Sequence, residues 1–184
     1  MPESTPPVVE LDELLALFYD DTNQLGQFAA KTADECPAAY QDMLAHTAHM
    51  TVTVQRRHGC LVDVEVLDSR TTDTHYIRKI LLCRQSDSRV VQFGIVRLAL
   101  SALQPDVRDE IMAQESPLGS VLIKHDVLRE VELHGLWEVV CGPEMASALQ
   151  TEIGKVTYGR TALIYCDGEP AVELLEVVAA EDTF

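Results

Sequence analysis

Near the end of the 184-residue chain, two β-rich runs leave little freedom of fold. Thr157 to Cys166 and Ala171 to Val178 flank the dipeptide Asp167-Gly168. A type I′ turn needs positive φ at both central residues, and Asp-Gly supplies this at little steric cost. Strands joined in this way lie antiparallel, and alternate side chains share a face. In the second run Val172, Leu174, Glu176 and Val178 share one face, while Glu173, Leu175 and Val177 share the other. Whichever face is buried, a carboxylate interrupts it.

The remaining patterns extend this hairpin to an antiparallel α+β domain, with helices at the start and middle. Leu11, Leu14, Leu15 and Phe18 recur at helical spacing, and Pro37 opens a second helix with Tyr40, Met43, Leu44 and Thr47 on one face. Residues 51–55 and 61–67 read as strands joined by a turn at His58-Gly59, followed by strands over 76–83 and 90–100. Pro105 starts a helix through Gln114, with Asp106, Asp109 and Glu110 in its first turns, and Pro117-Leu118-Gly119 opens a short one. Residues 128–140 read as a strand with Gly135 as a bulge, and Pro143 to Leu149 as a short helix. The acidic, Pro-rich residues 1–8 read as a disordered tail and residues 9–184 as a single domain.

Composition narrows the partners. Fourteen Lys and Arg against thirty Asp and Glu give a net charge of -16, which disfavours nucleic acid and anionic membranes. No run of 18 apolar residues suggests a transmembrane helix, and the start lacks a signal peptide's basic and apolar regions. Five cysteines without a Cys-x-x-Cys pair suit a reducing cytoplasm better than a disulfide framework or zinc ribbon. His46, His49 and His58 read better as exposed helix histidines than as metal ligands. The charge is uneven: residues 51–100 carry a net +3, while the three remaining stretches carry -8, -6 and -5. That basic segment is either a solvated strand face or the place where a small anion is received.

A second charged strand lies inside it. Tyr76, Arg78, Ile80 and Leu82 share one face, and Ile77, Lys79, Leu81 and Cys83 the other. Periodicity alone leaves open whether Arg78 or Lys79, and Glu173 or Glu176, faces the core. It leaves open equally whether the buried charges form an internal Arg–Glu bridge or an anion-binding Arg opposite a carboxylate.

Several segments occur in an order that resembles one family. They are Met43 to Thr51, His75 to Leu82, Pro117-Leu118-Gly119, Gly159-Arg160, Gly168-Glu169-Pro170 and Leu174-Leu175-Glu176. Over residues 40–178 the chain is similar to the chorismate pyruvate-lyases, or 4-hydroxybenzoate synthases. The resemblance implies an about six-stranded antiparallel sheet with helices packed against it, and a monomer with an enclosed cavity shielded by helical flaps. It implies a lyase that eliminates pyruvate from chorismate, leaving 4-hydroxybenzoate, with no metal or organic cofactor. It implies that Arg78 and Glu176 point inward, and Lys79 and Glu173 outward. Arg78 would bind the ring carboxylate, aided by the backbone at Leu118 and Gly119. Glu176 would face the ligand's far end and assist proton transfer, and Met50 would touch the substrate. In Phe93-Gly94-Ile95-Val96-Arg97 the arginine is displaced relative to the family pattern, so Arg97 is a second candidate anion ligand; Arg160 receives no role. The alternative reading is a non-catalytic domain of the same fold that binds or senses a small aromatic acid. Residues 1–50, with a net charge of -8, are too few and too acidic for a DNA-reading arm before it.

Overall fold

The computed structural model describes residues 7–181. The expected tail over residues 1–8 lies outside these except for Pro7 and Val8, which are exposed, and Val9 is already buried. The strands are β1 (Gly26–Lys31), β2 (Val62–Thr71), β3 (His75–Arg84), β4 (Val90–Ala99), β5 (Arg129–Cys141), β6 (Val156–Cys166) and β7 (Glu169–Val178). They form one antiparallel sheet in the order β1-β5-β6-β7-β4-β3-β2. The helices are α1 (Leu11–Ala16), α2 (Ala38–Leu44), α3 (Met50–His58), α4 (Pro105–Met112), α5 (Leu118–Lys124) and α6 (Pro143–Ala148). The expected antiparallel α+β architecture is borne out, with seven strands.

The hairpin forms as its turn residues dictate, with φ of 52° at Asp167 and 86° at Gly168. The bulge expected at Gly135 is present, as a register shift between Leu133 and Gly135. Two expectations are corrected. Residues 51–55 are not a strand but the body of α3. Their β-branched residues are overruled by packing: Met50, Thr51 and Val54 are buried at helical spacing, and Arg56, Arg57 and His58 occupy the last turn, where cations suit the helix dipole. Gly59, at φ 65°, caps this helix in the left-handed region rather than turning a hairpin. The second correction is β1, an edge strand that the sequence reading missed. Its burial pattern lacks regular alternation, which is the signal such a reading depends on.

Both faces of the sheet are covered. On one, Phe93, Ile95, Leu163, Leu175 and Val177 pack against Leu14 and Leu15 of α1 and Met145 of α6. The other face carries two separate clusters. Tyr40, Leu44, Met50 and Val54 of α2 and α3 pack over Ile80 and Leu82. Val107, Ile111, Val121 and Leu122 of α4 and α5 pack over Val96, Leu98, Ile164 and Leu174. Where two apolar clusters meet without merging, the sheet between them is left to other groups.

Gly168 has no neighbour within 4 Å of an added Cβ, so its replacement tests backbone conformation alone. Gly168→Ala is expected to lower stability by about 1–2 kcal/mol, the cost of a left-handed alanine. Gly168→Asn should recover much of it. Urea denaturation midpoints of the three proteins check this.

Candidate functional site

Between the two clusters lies a cavity floored by the sheet. β3 contributes Arg78, Ile80 and Leu82, β4 Gln92, Gly94 and Val96, β6 Arg160 and Ile164, and β7 Leu174 and Glu176. Its roof is the start of α3, with His49, Met50 and Thr51, and the start of α5, with Pro117, Leu118 and Gly119. The free space is about 500 Å³, counting the mouth. Such a space suits a single-ring or short-chain molecule, not a dinucleotide.

Two glycines make room for it. A Cβ on Gly94 would sit 3.2 Å from Ile80 Cδ1, above the floor. One on Gly119, in α5, would sit 3.0 Å from Thr51 Oγ1 of α3. A side chain at either position would push into the cavity or part its roof.

Strand parity is resolved as the resemblance implied. Arg78 is 1% exposed and Glu176 8%, both on the cavity face. Lys79 lies on the other face, with Nζ donating to Tyr19 Oη at 3.2 Å and 4.0 Å from a Glu144 carboxylate oxygen. Glu173 is also on that face, paired with Arg97. The expectation for Arg97 is corrected accordingly. It stands opposite Ile77 on β3, so it points away from the cavity, and its guanidinium is occupied by Glu173 and Glu13. Met50, Leu118 and Gly119 all line the cavity.

The residue without an expected role is the one most fully engaged. Arg160, 1% exposed, donates from Nε to Glu176 Oε2 at 2.8 Å. Its Nη1 donates to the His46 carbonyl at 2.9 Å and its Nη2 to the Ala48 carbonyl at 3.0 Å. It thus neutralises Glu176 and ties down the strap between α2 and α3. Within that strap, His46 accepts at Nδ1 from the Ala48 amide and approaches the Met43 carbonyl with Nε2 at 2.6 Å, the arrangement of a neutral imidazole. Burial and the charge of Arg160 lower its pKa. His49 is lowered further, to about 4, by burial first and then by Arg129 and Arg160.

Arg78 is the opposite case. Its Nη1 reaches the Ile111 carbonyl at 3.4 Å, the Tyr76 hydroxyl lies beside it, and its Nε has no partner. Burial lowers its pKa, and no described carboxylate offsets the effect. Of the two readings left open for the buried charges, the internal bridge is formed by Arg160 with Glu176, while Arg78 faces the cavity with no described carboxylate beside it. Polar atoms without partners recur around the cavity, at His49 Nε2 and Gln92 Oε1. Sequence reasoning missed Gln92 and Arg160. The available signal was parity, since Gln92 and Gly94 share a face of β4, as Arg160 and Ala162 do of β6.

No protein-family model and no curated protein sequence matches the chain. Solved structures match it in fold. PhnF from Mycobacterium smegmatis superposes with a TM-score of 0.52 at 11% identity, over 75% of this chain and 66% of that one. The ligand-binding domain of a proposed GntR-family transcriptional regulator from Bordetella bronchiseptica gives 0.48 at 14%, over 67% of this chain and 92% of that one. YydK from Bacillus subtilis, a proposed transcriptional regulator, gives 0.47 at 12%, and this chain spans only 60% of its length while 67% of this chain is covered. The architecture is the chorismate-lyase-like fold. The expectation of a lyase is corrected to one of fold: the likeness to PhnF, at 11% identity, shows the chorismate-lyase-like architecture and brings no lyase activity with it. The Glu176 carboxylate expected to move a proton accepts a hydrogen bond from Arg160. No helix among the described residues is long and apolar enough to cross a membrane.

Arg160→Met would leave the Glu176 charge buried and release the strap. We expect a loss of about 3–5 kcal/mol in denaturant unfolding, with Arg160→Met/Glu176→Leu recovering a large part of it. A second expectation concerns pH. With His49 held near 4 in the fold against an ordinary 6.5, the unfolded chain takes up its proton first as pH falls. Stability should therefore drop as pH falls from about 6.5 to about 4, and His49→Gln should flatten that slope in thermal unfolding scans.

Proposed function

We propose that this domain binds a small organic acid without transforming it, receiving the carboxylate on Arg78. The observation that carries this reading is a guanidinium 1% exposed, facing a cavity, with no described carboxylate to balance it. A buried unpaired charge is costly, and a ligand carboxylate offsets the cost through charge-assisted hydrogen bonds from Nε and Nη. The walls define the rest of the ligand. Met50, Ile80, Leu82, Leu118, Ile164 and Leu174 present apolar surface, so an apolar body lies between the sheet and the starts of α3 and α5. A ring acid such as 4-hydroxybenzoate has the size and chemistry required.

Binding in such a site is a sensing event. His49 and Met50, where the strap enters α3, border the cavity, and the end of α4 at Ile111 holds the Arg78 guanidinium, so an occupant changes what those segments meet.

Thermal unfolding with 4-hydroxybenzoate and, separately, inorganic phosphate tests the reading. A ligand present at a hundred times its Kd stabilises by about 2.7 kcal/mol, a rise in Tm of roughly 5–10 °C for a chain of this size. The ring acid should produce it and phosphate should not, and Arg78→Met should abolish it. An equal rise in the Arg78→Met protein sinks the proposal. Incubation with chorismate should release no pyruvate; release in proportion to protein would argue against a purely binding role.

A further inference from the structure

The charges lining the cavity can be counted. Arg78 and Arg160 are positive and Glu176 is negative. His49 stays neutral above about pH 4, and His46, behind the Arg160 guanidinium, is held neutral by its hydrogen bonds. The lining therefore carries one net positive charge. That charge belongs to Arg78, because Arg160 and Glu176 cancel each other at 2.8 Å.

The polar groups are also arranged along a direction. On β4, Val96 stands opposite Arg78, whereas Gln92 lies four residues away, about 13 Å along the strand. Glu176 stands opposite Gly94 on β7, between those levels and nearer to Gln92 than Arg78 is. Away from Arg78 the lining holds the Gln92 side-chain oxygen, 2% exposed as a residue and unpartnered, next to that amide's own N–H donors, and midway the carboxylate of Glu176. Arg160, the cation at that end, has its three nitrogens occupied by Glu176 and the strap carbonyls. A second carboxylate placed there would meet the Glu176 carboxylate and no free cation, with only the neutral Gln92 amide to donate to it. A hydroxyl or amino group would meet what it can donate to.

We propose that the cavity selects acids bearing a single negative charge and a hydrogen-bond donor at the opposite end, with Gln92 as the residue that reads the donor. This rests on the anion site at Arg78 and narrows the class of its ligand. It also sets the site against dianions, including the chorismate expected from sequence, since the lining balances only one charge.

Calorimetric titration with benzoate, 4-hydroxybenzoate and terephthalate separates the parts. These share a ring and a carboxylate and differ only at the far end: nothing, a donor, or a second charge. The hydroxy acid should bind about tenfold more tightly than benzoate, the worth of one hydrogen bond to a buried group, and terephthalate more weakly than either. Gln92→Leu should bind 4-hydroxybenzoate and benzoate equally. It should also raise the Tm of the empty domain, since it removes a buried unpaired amide oxygen; a destabilised variant would instead mark Gln92 as structural and overturn its reading role. Terephthalate binding as tightly as 4-hydroxybenzoate overturns the single-charge selection while the Arg78 site stands. A preference for the hydroxy acid that survives in Gln92→Leu overturns the role of Gln92. If none of the three binds, or if Arg78→Met binds them undiminished, the underlying anion site fails as well.

Discussion

The arrangement of the cavity depends on the buried contact between Arg160 and Glu176. Either charge buried alone would be costly, and together they form a neutral unit on adjacent strands at positions that face each other. Arg160 then has two nitrogens left, which it spends on the carbonyls of His46 and Ala48. Those carbonyls follow α2 and belong to a strap with no regular partner of its own. The ion pair thereby becomes the anchor of the roof, fixing where α3 starts and where His49 and Met50 hang over the sheet. Among the described residues it leaves Arg78 as the cavity-lining cation with no carboxylate partner.

The division of the apolar core follows from the same need. A continuous core over this face would have filled the middle of the sheet with side chains. Instead α2 and α3 close over one end and α4 and α5 over the other. The missing side chain at Gly94 and the close approach allowed by Gly119 hold the gap open between them. A gap lined by three charges and a buried glutamine is a poor contribution to stability, and packing of α1 and α6 on the opposite face offsets it with an uninterrupted cluster.

Much of this was legible in the sequence, for identifiable reasons. The β6–β7 hairpin could be read because turn chemistry is local: Asp167 and Gly168 need no distant residue to take positive φ. Arg78 and Glu176 could be narrowed to one face or the other because strands have a strict period of two, but choosing the face required knowledge of what packs there. α3 was misread because Thr51-Val52-Thr53-Val54 has strand composition, and the tertiary contacts that make it helical are made by residues far away in the chain. Arg97 and Arg160 show the limit most clearly. Each is an arginine on a central strand, and one serves a surface ion pair while the other serves the cavity. The difference lies in which carboxylate stands on the neighbouring strand, Glu173 for one and Glu176 for the other.

The single positive charge at Arg78 sits inside a molecule whose net charge is -16. An anion approaching from solution therefore meets a repelling field before it meets the guanidinium. Electrostatic steering, which hastens many encounters, here works against capture, and dissolved salt weakens it within a Debye length of roughly 10 Å at 0.1 M. The buried contact itself is shielded from that screening. Entry of a small acid should thus quicken with ionic strength while escape stays nearly constant, so an acid at Arg78 would be held more firmly in salt than in dilute buffer, the reverse of an ordinary exposed ion pair.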